Sequence, residues 1–340
     1  MDTDEQERPT GMAEIAAAAG VSISTVSRAL SGAAGVSAAK RAAIVAAARE
    51  AGYLAPEPTP SARRPLLRAR ITAVLPEPDR WVFGSILAGL HDVLNPAGPA
   101  LTVYQGPSAS ERARILDSAA LGKRADVVIL VPRPPDVPRE RLARLGVPVI
   151  VAGSVVPGFP SVGIDDVAVG EQATNYLINT GYRRIAFAAY TDHEGTPGVA
   201  SRGRGEGFMV SMERAGLDPS WRLRVPFGPG AGQAAAEQLL AGDHLPEALV
   251  AASDEMAAGM MSVFRRAGVR IPEDLAIIGV DDHPVAELMQ LTTIAQPARE
   301  QGRVAAAMAL RALSGRPAGE ATTLPTRLIV RDSTRRHPPE

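Results

Sequence analysis

Cysteine is absent from the 340 residues, which excludes disulfides and thiolate metal ligands. Lysine is nearly absent too. Lys40 and Lys123 stand against 34 arginines, a bias that, with the abundance of alanine, reflects genomic composition before any functional preference. Aromatic residues make up only 4% of the chain, so its core has to be built mainly of Ala, Val, Leu and Ile. No apolar run reaches the ~20 residues of a membrane span. The first residues are acidic and form no apolar signal region, so a cytoplasmic protein is expected. Catalytic signatures are also missing. There is no His-Glu-x-x-His, no Gly-x-Ser-x-Gly elbow and no Gly-Lys-Ser/Thr phosphate loop, and His91, His193, His244, His283 and His337 show no paired ligand spacing. Neither enzymatic activity nor a metal or cofactor is expected.

What is present reads as a soluble globular chain: 46% hydrophobic and 21% charged residues. The net charge of −1 hides an asymmetry. Between Arg8 and Arg70 nine basic residues face three acids, while four acids crowd into the first seven residues and the rest of the chain is mildly acidic. A basic module on an acidic body suits contact with phosphate at one end only.

Residues 20–30 carry the reason for that polarity. An alanine-rich stretch with Met12, Ile15, Ala16 and Ala19 at helical spacing ends at Gly20, which allows a tight turn. Ser22 is a good N-cap for a second helix over about 23–30, with Val26 and Leu30 inward and Ile23, Ser24, Ser27 and Arg28 near the outer face. Two short helices around a glycine turn predict a helix-turn-helix, whose second helix enters the DNA major groove. A third helix capped by Ser37 follows, with Ile44, Val45, Ala48 and Ala51 closing a small core, and then Gly52-Tyr53. From Met12 to Tyr53 the chain resembles, without gaps, the DNA-binding headpiece of the lactose-repressor (LacI-type) family. The resemblance implies DNA contacts from Ser22, Ile23, Ser24, Thr25, Ser27 and Arg28, with Lys40 and Arg41 of the third helix.

Residues 1–9 are expected to form a disordered tail, 10–55 the headpiece and 56–70 a linker. Pro56, Pro58, Pro60 and Pro65 alternate in the linker with Arg63, Arg64, Arg68 and Arg70. In the family this segment forms a hinge helix that inserts a leucine into the minor groove. Here Pro65 removes a backbone donor and the other prolines stiffen the approach. The linker is therefore expected to stay extended, with Arg63, Arg64, Arg68 and Arg70 making electrostatic contacts to phosphate or minor groove and Leu66 or Leu67 as the available wedge.

From Ile71 short apolar runs alternate with helical segments, which predicts an α/β body of two doubly wound parallel sheets. This body (71–333) resembles the family's effector domain, itself similar to periplasmic binding proteins, through stretches such as Val162-Gly163-Ile164-Asp165, Gly181-Tyr182-Arg183-Arg184-Ile185 and Ile278-Gly279-Val280-Asp281-Asp282. The resemblance implies a first lobe over about 71–166 and 298–315 and a second over about 167–296 and 318–333. The chain would cross between them near 165–168, 296–298 and 315–320. Ligands in such sheets bind outside the carboxyl ends of the strands. The expected cleft residues are Asp79, Trp81 and Phe83 after the first strand, Arg204 in an Arg-x-x-Gly-Phe run, Phe227, Asp254, Asp281 and Gln296, with Asp254 the strongest single candidate. The resemblance implies a dimeric repressor on a pseudo-palindromic operator, controlled by a small molecule of carbohydrate type. The alternative, a binding protein of the periplasmic type, would have this body but no use for the head.

Overall fold

In the computed structural model the described residues are 12–30, 36–50, 66–132, 137–192, 194–228 and 230–335. The first three helices are α1 (Met12–Ala18), α2 (Ile23–Leu30) and α3 (Ala38–Glu50). Gly20 takes φ +63° between α1 and α2. Ile15, Ala16, Val26, Ala29, Ile44, Ala47 and Ala48 form a small core, in which Ala47 takes the place expected of Val45; Ala51 lies outside the described residues. The tail, Tyr53 and the proline-rich linker, with Arg63, Arg64 and Pro65, lie outside the described residues.

The first lobe begins with β1 (Arg70–Leu75), α4 (Trp81–Ala97), β2 (Ala100–Gln105), α5 (Ala109–Asp117), α6 (Ala119–Arg124), β3 (Val127–Leu130), α7 (Arg139–Ala143), β4 (Val149–Ala152) and β5 (Ser161–Gly163). The second lobe follows with α8 (Asp166–Asn179), β6 (Ile185–Thr191), α9 (Val199–Arg214), β7 (Arg222–Pro226), α10 (Ala231–Leu240), β8 (Ala248–Ala251), α11 (Asp254–Arg266), β9 (Ala276–Asp281), α12 (Pro284–Leu288) and β10 (Thr292–Ala295). The chain then returns to the first lobe with α13 (Ala298–Leu313) and β11 (Ala321–Thr323), and ends in the second with β12 (Arg327–Ile329). Ser118 is both the C-cap of α5 and the N-cap of α6.

Each lobe holds one six-stranded sheet, ordered β11-β5-β4-β3-β1-β2 and β12-β10-β9-β8-β6-β7. Every pairing is parallel except that of β10 with β12. Parallel sheets need both faces covered. In the first lobe Ile71, Ile129 and Ile150 pack against α4 and α13, while Val74, Val128 and Leu130 pack against α5, α6 and α7. In the second, Leu249 and Ile277 face α10 and α11, and Phe187, Val250 and Ile278 face α8 and α9.

The chain crosses between the lobes before α8 and before α13. The third, expected near 315–320, lies later: β11 pairs with β5, Thr322 opposite Val162, and Leu324 is buried in the first lobe's core, so the chain crosses at 325–326. Three edge residues carry too weak a pattern to signal a strand by themselves; pairing with β5 decides the lobe. Leu66 is also corrected. It is buried in the first lobe's core, whereas Leu67 is 63% exposed.

Candidate functional site

The head presents one polar face. Ser22 caps α2, accepting from the Thr25 N–H at 3.3 Å, and its hydroxyl lies 2.9 Å from both the Ser24 and Thr25 hydroxyls. Val26 and Ala29 anchor the helix, which leaves Ser22, Ile23, Ser24, Ser27 and Arg28 exposed and Thr25 half-buried. Ile23, 50% exposed, is an apolar residue that the protein core does not use. Lys40 also stands clear. Arg41 does not: its guanidinium donates to the Ala29 carbonyl at 2.5 Å and ties α3 to the end of α2. Arg70, expected among the phosphate contacts, is engaged with Asp126 through its backbone N–H (2.7 Å) and guanidinium (3.2 Å). In each case a nearby acceptor within the protein engages the guanidinium.

The second site is a cleft at the carboxyl ends of the parallel strands of both sheets, where doubly wound folds place ligands. Lobe one contributes Arg80, Phe83, Arg112 and Gly153; lobe two contributes Tyr190, Asp192, Arg204, Phe227 and Asp281; Gln296 comes from the second crossing. Arg204 is buried. Its Nε donates to Asp166 at 3.0 Å and its Nη1 to the Ala252 carbonyl, which fixes the guanidinium at the cleft floor. Burial pushes the Asp166 carboxyl up, and Arg204 partly offsets this. Asp281, at φ +128°, accepts from Gln296 Nε2 at 2.6 Å, and Gln296 Oε1 accepts from Gln301 Nε2 at 2.9 Å. That chain links the cleft floor to α13 of the first lobe. Burial raises Asp281 to about 6. Phe227 meets Tyr190 edge-on at 5.2 Å.

Three expected cleft residues are placed elsewhere. Asp79 is exposed and lines no part of the cleft. Trp81 packs at 5.6 Å on His283 in a separate recess beside the second crossing. Asp254, the strongest candidate by sequence, is fully buried beneath the cleft. It accepts from the Thr293 hydroxyl at 2.7 Å and the His283 N–H at 2.9 Å, and joins α11 to β10 and to the start of α12. Burial, and then the Asp281 charge, push its carboxyl up to about 8. A strand-end position does not say which way a side chain turns; here the turn after β8 directs Asp254 inward.

Sequence reasoning missed Arg80, Arg112, Tyr190 and Asp192. Tyr190 was within reach, since it stands near the carboxyl end of β6, where the strand-end rule points. Arg112 is buried and held by the Gly106 (2.7 Å) and Pro107 (3.1 Å) carbonyls. Burial lowers its guanidinium pKa, against the pull of Asp192 and Glu111. Asp192 and Glu194 reach across the cleft mouth, accepting from the Ala109 N–H (3.3 Å) and the Ser110 hydroxyl (2.5 Å).

A helix-turn-helix head on a two-lobed cleft defines a DNA-binding regulator with a small-molecule receptor domain. Residues 11–55 match the family "bacterial regulatory proteins, lacI family", and 174–334 match the periplasmic binding protein-like domain. The repressor CytR of Escherichia coli K12 is 32% identical, covering 99% of this chain and all of its own length. The regulator CelR of Thermobifida fusca is 35% identical, covering 96% of this chain and 97% of its own length. The structure of a CelR–cellobiose complex superposes with a TM-score of 0.66 at 31% identity, over 96% of this chain and 100% of that one. A LacI family regulator from Mycobacterium smegmatis superposes with a TM-score of 0.65 at 30% identity, over 77% of this chain and 98% of that one. The chain belongs to the LacI family of transcriptional regulators. Among the described residues no helix is long and apolar enough to cross a membrane.

Proposed function

We propose that the protein acts as a homodimeric, non-enzymatic repressor, with two copies of α2 in successive major grooves of a pseudo-palindromic operator. A carbohydrate or related polyhydroxylated metabolite in the cleft sets its affinity for DNA. The observation that carries the reading is the cleft itself. Arg204, Asp281 and Gln296 alternate donors and acceptors on its floor, Phe83, Tyr190 and Phe227 offer ring faces, and both lobes contribute to the wall. A few convergent polar groups on an apolar lining are what orient a small ligand. The CelR complex with cellobiose supports the carbohydrate class.

The DNA reading rests on the exposed face of α2, where Ile23, Ser24 and Arg28 can reach base edges or phosphates. The test is a gel-shift titration of the full chain against its upstream DNA, with and without a carbohydrate panel. One panel member should change the operator affinity of the wild type. Arg204→Ala should keep operator binding and lose that response, with ligand affinity falling about tenfold to a hundredfold, because a buried hydrogen bond to a charged group contributes ~1.5–3 kcal/mol. Wild-type ligand affinity in Arg204→Ala, measured by calorimetry, would reject the site.

A further inference from the structure

Arg80 is an unusual residue for the place it holds. It is the N-cap of α4, with φ −66° and ψ 130°, and makes no side-chain capping bond. A guanidinium offers no acceptor to the first helical N–H groups, and its charge opposes the positive end of the helix dipole. As a cap, arginine gains nothing from the backbone of α4. The side chain instead enters the cleft, where Cζ lies 4.3 Å from the Phe227 ring centre, 4.9 Å from that of Tyr190 and 5.3 Å from that of Phe83. Lobe one supplies one of these rings and lobe two supplies two. The Arg80 Nε is buried without a hydrogen-bond partner, with Glu255 Oε2 standing off at 3.9 Å. Glu255 Oε1 accepts from the Trp81 N–H at 3.2 Å, so a carboxylate of lobe two provides the cap that Arg80 cannot.

The other cleft cations are already held. Arg204 is paired with Asp166, and Arg112 lies against two backbone carbonyls. Without Arg80, the rings would be left beside carboxylates at 192, 255 and 281. Ring faces attract cations through their quadrupole, and a neutral hydroxyl gains little from it.

We propose that Phe83, Tyr190 and Phe227, with Glu255 and Asp281, form a cation cage that the Arg80 guanidinium occupies. The effector carries a positively charged amino group, as in an amino sugar or another aminated polyol, and that group takes the place of the guanidinium. This inference rests on the cleft being the effector site. A neutral sugar would have to compete with Arg80, whereas an ammonium replaces it charge for charge.

The experiment uses the full chain with Arg80→Ala, and Arg80→Gln as a second variant that keeps the stem. Melting temperature is followed against methylguanidinium chloride and against N-methylurea, its neutral analogue, at ionic strength matched with sodium chloride. Both variants should bind methylguanidinium at least tenfold more tightly than N-methylurea. The wild type, with its cage filled, should not distinguish the two, and adding Phe227→Leu to Arg80→Ala should abolish the preference. Equal responses to the two probes in both variants would overturn the cage, as would an equal methylguanidinium response in wild type and variants. Operator binding is read in parallel by gel shift. Cation preference in a protein whose DNA affinity no small molecule alters would overturn the regulatory reading and leave the cage standing.

Discussion

Asp254 and Asp281 sit beside adjacent strands, yet one is buried beneath the cleft and the other opens into it. Asp254→Ala should therefore act on stability first. The Thr293 hydroxyl and His283 N–H lose their acceptor, at a cost of ~1–3 kcal/mol, and any loss of effector affinity should track the fall in melting temperature. Both carboxyls lie above the usual value of 3.8, Asp281 at about 6 and Asp254 at about 8. Between these limits the folded protein holds protons that the unfolded chain has released, so unfolding free energy falls as pH rises. The contribution is fully present below pH 3.8 and is lost as pH climbs through about 6 and 8. Melting followed by circular dichroism should give a lower temperature at pH 8 than at pH 6, and Asp254→Ala should lower it more at pH 6 than at pH 8.

The helices show what an alanine- and glycine-rich composition permits. α4 and α13 cross at Gly89 and Gly302, where an added Cβ would lie 1.9 Å from the Arg299 carbonyl oxygen and 2.0 Å from that of Ile86. α8 and α9 repeat the device at Gly170 and Gly207. Gly302→Ala should force α13 away from α4 and cost ~1–3 kcal/mol, as overpacking of a fitted interface does; denaturant melts of the effector domain would measure it. The recognition helix gives the opposite case. Ile23 and Ser24 lie on the exposed face and pack in no core, the Ser24 hydroxyl touching only the exposed Ser22 hydroxyl, so exchanging them should leave the melting temperature nearly unchanged. Operator preference should shift at one or two base pairs, each worth ~1–3 kcal/mol, as read by binding-site selection. An unchanged preferred operator would mean that α2 does not lie in the groove as placed.

At the scale of the molecule, three hydrogen bonds hold the lobes together across the cleft mouth: Asp192 to Ala109, Glu194 to Ser110 and Glu255 to the helix start at Trp81. They add to three chain crossings that fix the hinge side, so closure can be perturbed without touching either core. The double variant Ser110→Ala/Glu194→Gln should keep its melting temperature within about 0.5 kcal/mol equivalent, as exposed polar changes do, while opening the cleft. The measurement is the radius of gyration from X-ray scattering, which should rise in the variant and return toward the wild-type value when effector is added. An unchanged radius without effector would show that the cleft-mouth bonds do not hold closure.

The sequence alone determined the head, the alternation of strands and helices and the general address of the cleft. Helix caps, the turn at Gly20 and apolar periodicity are local, acting between residues a few positions apart. Arg204, Phe83, Phe227, Asp281 and Gln296 could be placed in the cleft because each lies in a recognisable stretch near a strand end or a crossing. Tertiary structure alone decided the rest. Asp254 turns inward because Thr293 and His283, some 30 to 40 residues away, present donors to it. Arg41 and Arg70 are engaged by the Ala29 carbonyl and by Asp126, and β11 belongs to the first lobe because β5 offers it a partner. Arg80 meets rings from three separate elements. A carboxylate or a guanidinium takes its role from whichever partner arrives in space, and that partner is not written beside it in the chain.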